Sequence, residues 1–200
     1  DLNQAIELAP DSGIAYMNRG DAYDDIGKYK QAIADYSQAI ELNYDPPSWG
    51  YNNRGRVYYE LKDYEQAIAD FNQAIELNPD FGLAYLNRGN AYDHLQEFEP
   101  AIDDFTMVIK LAPKRADGYL GRGVAYAKMG AFEQAVPDFT AVIELRPNYN
   151  KGYYNRAIAY ANTGKPEAAK EDLLKAKEVT DDPDLLALIN EGLTQLNDAN

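Results

Sequence analysis

Residues 16–42 read YMNRGDAYDDIGKYKQAIADYSQAIEL, and the spacing inside this stretch decides the fold. Tyr16, Gly20 and Tyr23 fall four and then three residues apart, which places them on one stripe of an α-helix. Ala32, Tyr36 and Ala39 repeat that spacing and mark the inner face of a second amphipathic helix, with a turn at Gly27-Lys28 between the two. Gly20 and Ala32 are small enough for the helices to approach closely, and the tyrosines fill the space beside that contact.

The stretch recurs down the chain. Tyr51-Asn52-Asn53-Arg54-Gly55, Tyr85-Leu86-Asn87-Arg88-Gly89, Tyr119-Leu120-Gly121-Arg122-Gly123 and Tyr153-Tyr154-Asn155-Arg156-Ala157 follow Tyr16-Met17-Asn18-Arg19-Gly20 at intervals of 35, 34, 34 and 34 residues. Each is followed by a second tyrosine (Tyr58, Tyr92, Tyr126, Tyr160), an alanine (Ala67, Ala101, Ala135, Ala169) and an aromatic or leucine (Phe71, Phe105, Phe139, Leu173). Pro79, Pro113 and Pro147 stop the second helices. One such hairpin cannot bury both of its faces, so the units must stack into a solenoid.

Composition excludes several functions. The 200 residues carry 19 Lys plus Arg against 33 Asp plus Glu, a net charge of −14 that repels a nucleic-acid backbone or an anionic membrane. With no cysteine and the single histidine His94, thiolate zinc sites, disulfides, cysteine nucleophiles and multi-histidine metal sites are out, and no cofactor is expected. No apolar run approaches the roughly 20 residues of a spanning helix. The carboxylate pairs Asp24-Asp25 and Asp103-Asp104 are consecutive, so they diverge on a helix and form no acid/base pair. A non-catalytic protein is expected. The sequence names no compartment, and the cytoplasm is only a default.

The repeat resembles the tetratricopeptide repeat family. Counting 34 positions from Gly13, Ser48, Gly82, Ala116 and Asn150, the units match its aromatic at position 4, small residue at 8, Tyr at 11, Ala at 20, aromatic at 24 and Pro at 32 nearly throughout. The resemblance implies an all-α, right-handed superhelical solenoid of stacked antiparallel hairpins. It divides the chain into 1–12 (second half of a truncated repeat), repeats 13–47, 48–81, 82–115, 116–149 and 150–183, and a capping helix with tail at 184–200. First helices are expected at 13–26, 48–61, 82–95, 116–129 and 150–163, and second helices at 30–43, 65–78, 99–112, 133–146 and 167–179. The one-residue insertion around Tyr44-Asp45-Pro46-Pro47 rigidifies one connection, and Pro137 falls near a helix start, where its missing donor is tolerable.

Two columns depart from the family. Position 7 holds Arg19, Arg54, Arg88, Arg122 and Arg156 in place of leucine, and position 23 holds Asp1, Asp35, Asp70, Asp104, Asp138 and Asp172. A cation and an anion recurring together predict bidentate Arg–Asp pairs, within or between repeats, in preference to an anion-binding arginine row.

In this family the first helices line the concave face at positions 2, 5, 6, 9, 12 and 13, and that face binds protein or peptide segments. Position 6 reads Asn18, Asn53, Asn87, Gly121 and Asn155. Asparagine offers a donor and an acceptor to a peptide unit, and the row is similar to the asparagine ladder in the repeat region of protein O-linked N-acetylglucosamine transferases. Trp49, Arg56, Tyr59, Leu86, Asn90, Leu120, Lys151 and Tyr154 complete the candidate binding set. Asp21, Asp24, Asp25, Glu60 and Asp93 outweigh Arg56 in the first three repeats, giving −4, whereas Lys128 and Lys151 against Asp117 give +1 in the last two. A partner with a basic segment is expected. Gripping an acidic carboxyl terminus, another function of the family, is disfavoured by Asn155 and Leu86 where the motif wants arginine and lysine. Trp49 is expected to contact a ligand or to pack on its own loop prolines, and His94 to be a surface residue. A scaffold that stacks through the uncovered face of residues 1–12 into a homo-oligomer is the alternative, and the substrate-recruiting arm of a larger enzyme a weaker one.

Overall fold

The structure, a computed structural model, describes residues 2–198. Among these residues it is wholly helical: α1 (Leu2–Leu8), α2 (Gly13–Asp25), α3 (Tyr29–Glu41), α4 (Pro47–Glu60), α5 (Tyr64–Leu77), α6 (Gly82–His94), α7 (Phe98–Leu111), α8 (Ala116–Lys128), α9 (Phe132–Leu145), α10 (Asn150–Asn162), α11 (Pro166–Glu178) and α12 (Pro183–Asp198). The chain divides into two compact units between Glu97 and Phe98. In the first, each of α1 to α6 packs on its neighbour in sequence, and α2, α4 and α6 also touch in succession. In the second, α7 to α12 pack consecutively and α8 touches α10. This is the expected all-α solenoid class of stacked hairpins.

Every first helix ends one residue sooner than its sequence pattern suggests, and the reason is its C-cap. Gly27, Lys62, Gln96, Gly130 and Gly164 have φ of 70°, 63°, 62°, 77° and 71°. This left-handed residue lets the next backbone N–H reach back to the tyrosine carbonyl of position 11: Lys28 to Tyr23, Asp63 to Tyr58, Glu97 to Tyr92, Ala131 to Tyr126 and Lys165 to Tyr160, all at 2.8–2.9 Å. The helix terminates because its last carbonyls are satisfied by that reversal.

In each unit the core sets alanines under rings. Ala32, Ala67, Ala101, Ala135 and Ala169 are fully buried, as are Tyr36, Phe71, Phe105 and Phe139 to within 1%. A Cβ at Gly20 would lie 2.7 Å from the Tyr36 ring, and those at Gly55 and Gly123 would lie 2.8 Å from Phe71 and Phe139. The ring therefore imposes the glycine. Where Leu173 replaces the ring in the fifth repeat, Ala157 replaces the glycine and is itself buried.

Two expectations change. Pro137 is not in the unpaired first turn of its helix: it is the sixth residue of α9, on an exposed face, so it withholds an N–H that the helix would use. The insertion starts α4 one residue early, with Pro47 at the first helical position where no donor is missed. Asp1, the first member of the aspartate column, and the last two residues of the expected tail lie outside the described residues.

Candidate functional site

The arginine column is structural. Arg19, Arg54, Arg122 and Arg156 each donate Nε and one Nη to both oxygens of the aspartate 16 residues later, Asp35, Asp70, Asp138 and Asp172, at 2.7–2.9 Å. The pairs lie within repeats. The remaining Nη reaches the preceding repeat: Arg19 to Asn3, Arg54 to Ser37, Arg88 to Asn72, Arg122 to Thr106 and Arg156 to Thr140, at 2.5–3.1 Å. Tyrosines flank the guanidinium, with Arg19 5.5 and 5.8 Å from the Tyr16 and Tyr23 ring centres and Arg88 similarly placed at Tyr85 and Tyr92. The hydrogen bond to aspartate holds these guanidinium pKa values above an already high value, outweighing the burial that opposes it. One side chain thus ties its own hairpin and clips it to the one before, which leaves no arginine row for an external anion.

In the first unit the asparagines form a strut. Tyr36 Oη and Asn53 Nδ2 both donate to Asp21 Oδ1, at 2.7 and 3.1 Å. Asn52 Nδ2 donates to Asn53 Oδ1 at 3.2 Å, and Asn87 Nδ2 donates to Asn52 Oδ1 at 3.0 Å. The chain crosses α2, α4 and α6. Asn52, a position-5 residue, is buried at its centre, and Met17 at the same position is buried too, so neither is open to a partner. Asn53 already uses its oxygen and an N–H inside the protein, whereas Asn18 is exposed on α2.

Arg56 pairs with the buried Asp24. Desolvation raises the Asp24 pKa above 3.8, Arg56 lowers it, and Asp25 and Asp21 add to the rise. Arg56, Tyr59, Asn87 and Asn90 meet around a cavity of about 20 Å³, room for one water rather than a side chain. Tyr59 also stands edge-on to Tyr64 and His94, and His94, exposed, stacks on Tyr64 at 5.0 Å; burial, then Tyr64, pushes the Tyr59 pKa up. Trp49 is 42% exposed and packs on Phe81 at 4.8 Å, a contact the sequence reading did not name. Leu86 is half-buried on α6.

The second unit differs in kind. Its first helices carry two apolar cavities that share Ile158. One, of about 330 Å³, lies between α8 and α10 and is lined by Val124, Ala127, Phe132, Phe139, Asn155 and Ile158. The other, of about 430 Å³, lies between α10 and α12, with Tyr154, Ile158, Ala161, Leu173, Leu188 and Gly192 in its wall and Glu191 at its rim. Burial, with a smaller push from Glu191, raises the Tyr154 pKa. Leu120 packs against the Ala135, Phe139 and Ala159 cluster. Lys151 is exposed on α10, and Asp117 is engaged by Arg115 and Arg146 at 2.9 and 3.1 Å. Asn155, half-buried in the wall of the first cavity, makes no hydrogen bond among the described residues. The gap at Gly121 has a steric cause: a Cβ there would lie 2.5 Å from the Phe105 ring.

Of the candidate residues named from the sequence, Tyr154 and Asn155 line these cavities, and Leu188 and Gly192 of α12 were not among the candidates. The apolar stripe of the capping helix was the available signal, and its facing was not.

Stacked helix hairpins that turn one helix of each pair to an open face define a repeat protein of the solenoid class. The tetratricopeptide repeat profile matches residues 13–43, 48–81, 82–115 and 116–149, and a second profile of the same repeat matches 151–183. The chain belongs to the tetratricopeptide repeat family, whose members are interaction modules. Among curated proteins none matches it. Its fold is similar to that of YrrB, described as a TPR protein with an unusual peptide-binding site (24% identity, TM-score 0.79, covering 95% of this chain and 97% of that one). MamA is similar too (24%, 0.77, 84% and 91%), as is MamA from Desulfovibrio magneticus RS-1 (18%, 0.78, 84% and 94%). No described helix is long and apolar enough to cross a membrane.

Proposed function

We propose that the chain is a non-catalytic protein-interaction module whose first-helix face binds an extended or helical peptide segment of a partner protein. The observation that carries this reading is the pair of open apolar cavities around Ile158, on the face that the family turns to its ligands. YrrB, a peptide-binding protein by its description, shares the fold. In the first unit, Asp21, Asp25 and Glu60 favour basic side chains, and they raise association rates more than final affinity. Asn18 and Asn155 are the ladder members with groups to spare, while Asn53 and Asn87 must exchange internal partners to hold a backbone. The repeat boundaries set out above are the units of the module, and the cytoplasm is its default compartment.

Selection of a random peptide library displayed on phage, against the wild-type chain and against Ile158→Arg, tests the reading. Ile158 is 37% exposed, so the substitution leaves the core intact. Peptides retained by the wild type and lost from the variant support it, and a library yielding no peptide sensitive to Ile158 rejects it. Leu8 at 80% and Ile14 at 60% exposure favour a second reading, a scaffold pairing through the α1 end. Sedimentation equilibrium of wild type and Leu8→Asp, Ile14→Asp separates the two, because only the scaffold loses mass on substitution.

A further inference from the structure

The second unit carries another surface, separate from the cavities around Ile158. Lys114 and Arg115, from the connection between α7 and α8, and Arg146, from that between α9 and α10, line one shallow, open concavity of about 710 Å³, with Ala112 and Pro113 as its apolar part. All three cations are exposed, in a chain whose net charge is −14. The repeat does not require them. At the two positions before a first helix, where this connection has Lys114-Arg115, the others have Asp11-Ser12, Pro46-Pro47, Asp80-Phe81, Asn148-Tyr149 and Asp182-Pro183. Arg146 takes the position held elsewhere by Asn43, Asn78, Ala112 and Thr180.

Asp117, in the first turn of α8, organises the cluster. Its Oδ2 accepts from Arg115 Nε at 2.9 Å, and its Oδ1 lies 3.1 Å from Arg146 Nη2. A guanidinium has five N–H donors, so each of these arginines keeps most of its own for an outside acceptor. Arg54, by contrast, commits three nitrogens inside the fold. Lys114 makes no ion pair among the described residues. Arg115 is also the N-cap of α8 and makes no side-chain cap bond, so the positive end of the helix dipole adds to the field. Three cations against the one carboxylate leave the lining at +2. A phosphate monoester carries about −1.5 to −2 at pH 7 and three strong acceptor oxygens, which match that charge and those forks. A carboxylate brings −1 and leaves the charge unmatched. An extended polyanion such as a nucleic acid or an anionic bilayer would meet the field of the whole acidic chain, whereas a single phosphate on a segment without other acids meets mainly these cations.

We propose that Lys114, Arg115 and Arg146 form a recognition site for a phosphorylated serine or threonine side chain of a partner protein, carried on a segment poor in acidic residues. Arg115 and Arg146, oriented by Asp117, donate to the phosphate oxygens, and Lys114 supplies the third charge. Phosphorylation of the partner thereby controls its docking, at a place distinct from the apolar cavities of the same unit.

A degenerate peptide array with a central phosphoserine, phosphothreonine, serine or aspartate tests this, probed with the wild-type chain. Phosphorylated spots should be bound in preference to their serine and aspartate counterparts, and an array without phosphate-dependent spots overturns the inference. The strongest phosphopeptide, labelled with fluorescein, is then titrated by anisotropy. It should bind at least tenfold tighter than its unphosphorylated form, lose tenfold or more with Arg115→Gln plus Arg146→Gln, and lose about threefold with Lys114→Gln. All three side chains are exposed, and circular dichroism establishes that the variants are folded. Ile158→Arg should leave its affinity within twofold. Full affinity in the double arginine variant overturns the proposal, as does loss with Ile158→Arg alone, which would place the phosphopeptide in the cavities. Inorganic phosphate that binds as tightly as the phosphopeptide, or vesicles containing phosphatidylserine that bind more tightly, would assign the site to another anion and overturn it too. None of these outcomes decides the peptide-binding reading, which the library selection tests with unphosphorylated peptides and Ile158.

Discussion

Breaking one arginine clip should cost far more than removing the whole clip. Asp70 is 6% exposed and holds both Nε and Nη of Arg54, while Arg54, with its side chain 20% exposed, also reaches Ser37 of the previous repeat. Asp70→Ala leaves a mostly buried guanidinium without its counter-ion. Removing one partner of a buried pair costs about 3–5 kcal/mol, and because water still reaches a fifth of Arg54 the lower end, about 3, is expected. Arg54→Leu, which restores the usual residue of the family at this position, strands a more deeply buried carboxylate and should cost about 4. Arg54→Leu with Asp70→Ala removes both charges and should cost about 1 or less. Ser37→Ala, which deletes a single contact, should cost about 0.5–1.5 kcal/mol. Urea unfolding followed by circular dichroism reads all four, and hydrogen exchange should show protection lost in α3 as well as in α4 and α5, since the third nitrogen crosses to the neighbouring hairpin. If the two single variants cost under 1 kcal/mol each, or if their costs simply add in the double variant, the column is surface decoration and the reasoning fails.

Three further outcomes follow. Gly27→Ala should destabilise by about 1 kcal/mol through backbone strain alone, because nothing lies within 4 Å of the new Cβ, whereas Lys62→Gly should be neutral or stabilising by up to about 1; thermal melts that rank the two the other way would refute the C-cap account. Pro137→Ala should stabilise by roughly 1–3 kcal/mol, since it restores an interior N–H on an exposed position, and no gain in the urea midpoint would contradict it. Asp24 has a folded pKa above its ordinary 3.8, so in the window above pH 3.8 the native state holds more of this proton than the unfolded chain does. Its contribution to stability is therefore full below 3.8 and is lost as pH rises through the raised value, by at most about 1.4 kcal/mol per pH unit. Wild type minus Asp24→Asn should fall across that window, and parallel stability curves for the two would refute the shift.

The fold was legible because its information is local and repeated. Tyrosine, glycine and alanine at fixed spacing specify a hairpin, and five copies leave little room for another period. The C-caps were less legible, since Lys62 and Gln96 adopt the conformation that glycine takes in the other copies. Pairing of arginine with aspartate could be read from their co-occurrence, but not its direction, because the spacing of 16 within a repeat and the return to the neighbour use the same side chain. The candidate site was half legible. Position numbering put Asn53 and Asn87 on the open face and could not reveal that they spend donors on Asp21 and Asn52. The gap at Gly121 read as a broken ladder, although its cause is the Phe105 ring in a different helix. The cavity against α12 depends on how a non-repeating helix docks on α11, and no repeat pattern encodes that.

The side-chain amide of Asn155 is where the account meets its most direct test. Uniformly ¹⁵N-labelled protein titrated with a peptide recovered from the library selection should show the Asn155 NH₂ resonances moving to saturation, with those of Asn52, Asn53 and Asn87 holding still in their internal bonds. A saturating peptide that leaves Asn155 unmoved while shifting the asparagines of α4 and α6 would contradict it.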